Sequence, residues 1–262
     1  MKKIVYIDCD GTLKNDKGEI SARTKRAIKK FTKAGNYIVL CTGQPRYFAE
    51  KISNEIGCES FFISSNGAEI YDNIKKCIVK IISIDKSDVL EIYKYAKINN
   101  IRIVAVSEDK EFVTKQIKNK NQYMIPESNI EDFFEKNKIK QIMFVSDDNQ
   151  KIINAKIELY KNNSIAILNQ STKENQPWVA VGNSKVSKGK AIRELTEYLG
   201  EKIENTIAIG NGHNDISMFE TAGISVAMEN AIDDIKNKVD IITASNNEDG
   251  VAIYLENIIK NN

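Results

Sequence analysis

"YIDCDGTL", residues 6–13, is the stretch on which the reading of this chain turns. Together with the residues before it, it makes an apolar, β-branched run, "KIVYID", that ends in two aspartates, Asp8 and Asp10. Side chains alternate along a strand, so both carboxylates are expected on one side at the strand's C-terminal edge, with Cys9 turned into the sheet. Side by side they repel, and such a pair needs a cation between its members or a proton on one of them. The C-terminal edge is also where open α/β sheets bind ligands. Asp-Gly is ordinary turn chemistry as well, so these residues must be weighed with the rest of the chain.

Working outward, short apolar runs alternate with amphipathic stretches. "KIVYID" is followed by a helix expected from about Ser21 to Ala34, with Ser21 as N-cap, Ala27, Ile28 and Phe31 as its apolar stripe and Gly35 as its stop. "YIVLC" is the second strand, Pro45 opens a second helix, and "FFISSN" is the third strand. The same rhythm returns near the C-terminus with "TIAIG" (206–210), "ISVAM" (224–228) and "DIIT" (240–243), then a closing helix from Asp249 to Ile259. This is the pattern of a parallel α/β sheet.

Between the halves the rhythm changes. The hairpin-like "AEIYD" and "KCIVKIIS" lead into a helix from Asp88 to Ile98, then "IRIVAV", "KQIMFV", a helix around Asn149 to Tyr160, "SIAIL" and "WVAVG". The expected organisation is therefore a Rossmann-like parallel-sheet core over 1–81 and 186–262, with an inserted α+β domain over 82–185 whose two crossings can act as hinges.

The length of 262 residues accommodates one or two domains, and 42% hydrophobic with 28% charged residues describes an ordinary folded protein. Thirty-eight basic against 36 acidic residues leave +2, too balanced to suggest a nucleic-acid or membrane partner. The lysine-rich "KQIKNKNQ" (115–122) reads as a solvated face. Cys9, Cys41, Cys58 and Cys77 have no C-x-x-C spacing and fit buried reduced thiols, which favours the cytoplasm. No apolar run suits a signal peptide or a membrane span.

Five stretches carry candidate chemistry. Besides Asp8 and Asp10, "LCTGQ" ends a strand with Thr42 and Gly43, a hydroxyl and a flexible backbone suited to a phosphate oxygen, although Thr-Gly is also a common turn. "SSNGA" ends the third strand, and its Asn66-Gly67 pair is by default a hairpin signal. "VSKGKAI" puts Lys188 in the first turn of a helix after Ser187, where an ammonium and backbone N–H groups can meet an anion; a surface lysine is the plain alternative. "IAIGNGHNDISMF" places Asn211, Asn214 and Asp215 after another strand. Four such loops at one sheet edge point to a site.

Taken in order along the chain, "YIDCDGTL" and the motifs around Thr42, Lys188 and Asn211 to Asp215 resemble the signatures of the haloacid dehalogenase superfamily, and specifically its Cof-like phosphatases with a large inserted α+β cap. The likeness extends to "ISVAMENA" and "SNNEDGVA" near the end. The resemblance implies that Asp8 is a nucleophile forming an aspartyl-phosphate, that Asp10 is the general acid and base, and that Lys188 and Thr42 hold the transferring phosphoryl group. It implies that Gly43, Asn66 and Asn214 lie near the phosphate. It further implies Mg²⁺ bound by Asp8, the main-chain carbonyl of Asp10 and Asn211, with Asp215 in its outer shell. The expected substrate is a small phosphorylated metabolite, with sugar phosphates favoured, and the expected state is a monomer or homodimer. A phosphotransferase or mutase, or a phosphometabolite-binding protein, are the alternative readings.

Two positions depart from the family pattern. Asn211 stands where "GDGxND" has Asp, which keeps a possible oxygen ligand but removes one negative charge, so metal binding is expected to weaken, with Asp215 able to move inward. Gln44 stands where Thr-Gly-Arg is common, leaving a cation missing beside Arg46. His213, the only histidine, is expected to be a spacer, and Trp178 to serve packing. Lys115, Lys118 and Tyr123 are insert residues with no assigned contact.

Overall fold

A computed structural model describes residues 2–58, 60–108, 110–114, 122–124, 130–171 and 177–260. The chain divides into two compact units. One comprises residues 1–44, 48–79 and 187–262, the other 45–47 and 80–186.

The first unit is built on an eight-stranded sheet. β1 (Ile4–Ile7), β2 (Tyr37–Cys41), β3 (Phe61–Ser64), β4 (Glu69–Asp72), β5 (Cys77–Ile81), β12 (Thr206–Gly210), β13 (Ile224–Met228) and β14 (Ile241–Thr243) stand in the order β14-β13-β12-β1-β2-β3-β4-β5. β14 to β3 pair in parallel and β4 turns antiparallel to β3. The period-two rule is visible in β1, where Val5 and Ile7 enter one apolar cluster and Ile4 and Tyr6 the other. β2 and β12 divide the same way, with Ile38, Leu40, Ile207 and Ile209 on one face and Val39, Cys41 and Ala208 on the other. Strands buried on both faces read as continuous apolar runs, which is why "KIVYI" and "TIAIG" show no polar alternation.

Helices supply the two covering layers. α1 (Ala22–Lys33) has Ser21 as N-cap, its hydroxyl accepting the Thr24 N–H, and Gly35 follows at φ +86°. Its Ala27, Ile28 and Phe31 share a core with Ala49 and Ile52 of α2 (Arg46–Glu55) and with Val251, Ala252 and Leu255 of α9 (Gly250–Lys260). On the other face lie Ala191, Ile192 and Leu195 of α6 (Lys188–Tyr198), Met218 and Phe219 of α7 (Ile216–Phe219) and Ile235 of α8 (Asp233–Lys236). Phe31 is fully buried, and truncating it to Ala would cost about 3–5 kcal/mol.

The second unit has its own sheet and core. β6 (Arg102–Val106), β7 (Glu111–Val113), β8 (Gln122–Met124), β9 (Gln141–Val145), β10 (Ile165–Ser171) and β11 (Trp178–Asn183) run in the order β10-β11-β9-β6-β7-β8. Pairing is antiparallel except between β7 and β8, and β10 carries a register shift between Ile167 and Asn169. α3 (Lys86–Ile98), α4 (Ile130–Lys136) and α5 (Asn149–Leu159) contribute Ile92, Phe134 and Ile152 to a cluster that also holds Ile103, Phe144 and Val181.

Two features differ from the sequence reading. β7, β8 and α4 are too short to set a period and carry no sequence signal of their own. Cys9, Cys41 and Cys58 are buried, but Cys77 is exposed because it starts β5, the sheet's edge strand. All four are free thiols. Among the described residues no helix is long and apolar enough to cross a membrane.

Candidate active site

β1 and β12 lie side by side, Ile7 opposite Ile209, and the Asp8 N–H extends the ladder by donating to the Ile209 carbonyl at 2.9 Å. From this pair the sheet order runs outward both ways, through β2 and β3 on one side and β13 and β14 on the other. Such a reversal opens a crevice at the strands' C-terminal ends. Asp8 leaves from one strand and Asn211 from its neighbour.

Asp8 and Asp10 lie beyond the last residue of β1. β1 stops at Ile7 and the chain turns through Gly11 at φ +78°, so the two carboxylates enter different surroundings. Asp8 is buried, whereas the Asp10 side chain is 55% exposed. The carboxylate that shares a cation with Asp8 is instead Asp215. Lys188 Nζ donates to Asp8 Oδ1 at 2.5 Å and to Asp215 Oδ1 at 2.6 Å, and its side chain is wholly buried. Ser187 caps α6, its hydroxyl accepting the Lys190 N–H, and thereby fixes where Lys188 starts. Asp215 Oδ2 accepts the N–H groups of Asn211 and Gly212, both at 2.9 Å. With both its oxygens bonded, Asp215 shapes the loop around Asn211.

Two buried carboxylates around one ammonium leave an excess negative charge. Burial pushes the Asp8 carboxyl up to about 7; the charge of Asp215 adds to this and Lys188 pulls back. Burial works against the charge of Lys188, but Asp215 and Asp8 outweigh it and hold the ammonium above the usual lysine range. A cation beside Asp8 would return it to the anionic form. Asn211 Oδ1 accepts the Thr12 hydroxyl at 2.8 Å and keeps a second lone pair. The Asn211 amide also lies against Gly11, where an added Cβ would come within 2.5 Å of its Nδ2. Among the described residues no three His, Cys, Asp or Glu side chains converge as a metal set, so a cation here would depend on carbonyl oxygens beside Asp8. Such a donor set, all oxygen and low in charge, suits a hard divalent ion.

On the other flank, Asp10 is bonded at the rim. Gln44 Nε2 donates to Asp10 Oδ2 at 2.9 Å, and Lys14 Nζ stands 3.7 Å from Oδ1. The Lys14 ammonium also lies 4.1 Å from the centre of the Phe48 ring.

The loops that follow β2 and β3 are tied to each other. The Thr42 carbonyl accepts the Asn66 N–H at 3.0 Å, and the Gln44 carbonyl accepts the Ser65 N–H at 2.9 Å. Thr42 Oγ1 accepts the Gln44 N–H at 3.1 Å. Asn66, at φ +57°, sits in the turn joining antiparallel β3 and β4, so its hairpin signal and its place in the site coincide. Its Oδ1 accepts from Asn214 Nδ2 at 3.0 Å, and Gly43 backs onto its amide, where a Cβ would stand 3.0 Å away. At Gly67, φ +101°, a Cβ would come within 2.3 Å of the Ser187 carbonyl, so this turn packs directly on the start of α6.

Asp8, Lys188, Asn211 and Asp215 thus form one bonded group, and Thr42, Gly43, Asn66 and Asn214 another. His213 is exposed. Trp178 is half-buried at the start of β11, paired with Val145. Tyr123 is exposed beside Lys110 and Phe112, while Lys115 and Lys118 lie outside the described residues. The sequence reading missed Thr12 and Lys14, although both follow Asp10 closely. It also missed Asn230, whose amide donates to the Gly11 carbonyl at 2.8 Å; only its place in "AMENA" hints at a role.

A doubly wound sheet with a buried aspartate, a bridging lysine and a hydroxyl loop around its switch point defines an α/β fold of the enzyme type that binds its ligand at the strands' C-terminal edge. The chain belongs to the haloacid dehalogenase-like hydrolase family, which it matches over residues 5–255. It is 30% identical to 5-amino-6-(5-phospho-D-ribitylamino)uracil phosphatase YcsE of Bacillus subtilis (strain 168), over 95% of this chain and 93% of that one. To the phosphatase YwtE of the same organism, named for the same substrate, it is 27% identical over 98% of both chains. A haloacid dehalogenase-like hydrolase from Bacteroides thetaiotaomicron superposes with a TM-score of 0.82 at 28% identity, over 98% of this chain and 100% of that one. The protein is an enzyme of this family's phosphatase class and acts on phosphorylated substrates.

Proposed function

We propose that this protein is a Mg²⁺-dependent phosphatase that hydrolyses small phosphorylated metabolites, sugar phosphates foremost, through an aspartyl-phosphate on Asp8. The observation that carries the proposal is the Lys188 ammonium bridging buried Asp8 and Asp215 at the sheet's switch point. Asp8 attacks phosphorus with a carboxylate oxygen, the bond from phosphorus to the leaving oxygen breaks, and Asp10 gives that oxygen its proton. In the second step Asp10 takes a proton from water as the water oxygen attacks the phosphoryl group. The bond to Asp8 then breaks, and inorganic phosphate leaves.

Lys188 offsets charge on the phosphoryl oxygens. Thr42 Oγ1 already accepts the Gln44 N–H, which leaves its own proton to donate to a phosphoryl oxygen. Gly43 lets backbone approach the same group, and Asn66 with Asn214 borders it. Magnesium held by the Asp8 carboxylate, the Asp10 carbonyl and Asn211, with Asp215 behind, would supply the positive charge that keeps Asp8 ionised and the phosphate approachable.

The insert is proposed to select the substrate, with core over 1–81 and 186–262 and cap over 82–185. Free thiols fit a reducing compartment, and the cytoplasm is the proposed location. The test is phosphate release from sugar phosphates, nucleotides, 5-amino-6-(5-phospho-D-ribitylamino)uracil and an aryl phosphate across a Mg²⁺ titration. Release that requires Mg²⁺ and disappears in Asp8→Asn supports the proposal. Release that is unchanged in Asp8→Asn removes the aspartyl-phosphate route.

A further inference from the structure

We propose that Gln44 is a positioning residue that aims the Asp10 carboxyl at the leaving group, an assignment that rests on the phosphatase reading above. Its amide donates to Asp10 Oδ2 at 2.9 Å across 34 residues of chain. Asp10 needs such a guide. It lies beyond the end of β1, after the strand has stopped fixing side-chain direction, and more than half of its side chain meets solvent. Lys14, at 3.7 Å from the other oxygen, is a looser restraint and is itself drawn onto the Phe48 ring.

Gln44 is well placed to hold a direction. Its N–H is fixed on Thr42 Oγ1 and its carbonyl on the Ser65 N–H, so both of its backbone polar groups are tied to the loops around the phosphate-side residues. Pro45 follows it and keeps its backbone out of the helical region, which leaves extended conformations. A side chain launched from such an anchored backbone gives up little further freedom when it bonds. The geometry therefore couples two parts of the site: the loop that carries Thr42 also sets where Asp10 points. This gives the departure from Thr-Gly-Arg at this position a use.

The test measures kcat/KM for a series of phosphate monoesters, from aryl esters with good leaving groups to alkyl sugar phosphates, in wild-type, Gln44→Ala and Gln44→Met protein, with Asp10→Asn as reference. A good leaving group departs without a proton, so only the poor ones need an aimed acid. The expected result is a loss of about tenfold on alkyl esters in both Gln44 variants, with aryl esters within about twofold of wild type, as removal of one hydrogen bond predicts. Asp10→Asn should show the same steepening, only larger. Met keeps the length of the side chain without its donor, so agreement between the two variants excludes a cavity effect. Equal losses on all esters, or no loss on any, would overturn the role while leaving the phosphatase reading intact. Wild-type protein that releases phosphate from no ester would overturn both.

Discussion

Asp8 and Asp10 stand two residues apart and live in opposite physical regimes. Asp8 lies in a buried charge group with Lys188 and Asp215, where each partner is held by hydrogen bonds. Asp10 lies at an open rim, held by one neutral amide and one more distant ammonium. The difference teaches that a single turn, from Cys9 through Gly11, separates a group whose charge is set by burial from one whose direction is set by a neighbour. A nucleophile profits from the first arrangement, because its charge must be controlled. A proton carrier profits from the second, because it must meet both leaving group and water.

The sharpest way to break this contrast is Asp8→Asn, which should lower phosphate release by about a thousandfold or more while the protein still folds, since Lys188 keeps Asp215. Release assays and the loss of a trapped phospho-enzyme in intact-mass spectra check it. Lys188→Met comes next. It leaves two buried carboxylates facing each other and should destabilise the protein by about 3–5 kcal/mol in urea unfolding, with activity lost as well.

Asn211→Asp should tighten Mg²⁺ by roughly tenfold, the effect of about one added charge at close range, as read by calorimetric titration. Unchanged affinity would mean that Asn211 does not limit metal binding. A smaller effect concerns pH. The Asp8 carboxyl is raised in the folded state from 3.8 to about 7, so between those values the metal-free folded protein binds more protons than the unfolded chain. Its stability should therefore fall as pH rises through that window, and Asp8→Asn should flatten the slope of melting temperature against pH. Lys188 contributes nothing to this slope, because it is charged in both states there. At the rim, Gln44→Ala should change unfolding stability by no more than about 0.5 kcal/mol, in contrast to its effect on slow substrates.

The sheet was legible because its central strands are apolar on both faces. "KIVYID", "YIVLC" and "TIAIG" can hardly be other than buried strands once helices flank them. The loops could be located for the same reason, each following a strand. What sequence could not show was orientation past a strand's end. Alternation predicts Asp8 beside Asp10 only while the strand lasts, and β1 ends at Ile7. The bridge from Lys188 to two aspartates joins residues 180 and 27 positions away, a distance at which a local pattern says nothing. Gln44 could be seen as a departure, but its partner could not, because that depends on how the Gly11 turn directs Asp10. The small strands β7 and β8 have three residues each, too few for any period to be read.

The order in which the ribosome makes this chain has a consequence of its own. β1, which ends just before Asp8, is made well before its parallel neighbour β12, which begins only at Thr206. The second unit's apolar cluster runs from Ile84 to Val181 and is complete in sequence before Lys188 appears. The second unit's core can therefore consolidate during synthesis before the rest of the first unit's sheet has been made. Until Lys188 and Asp215 have been added, Asp8 has no ammonium beside it. The nascent chain thus carries its proposed nucleophile long before the group around it is complete.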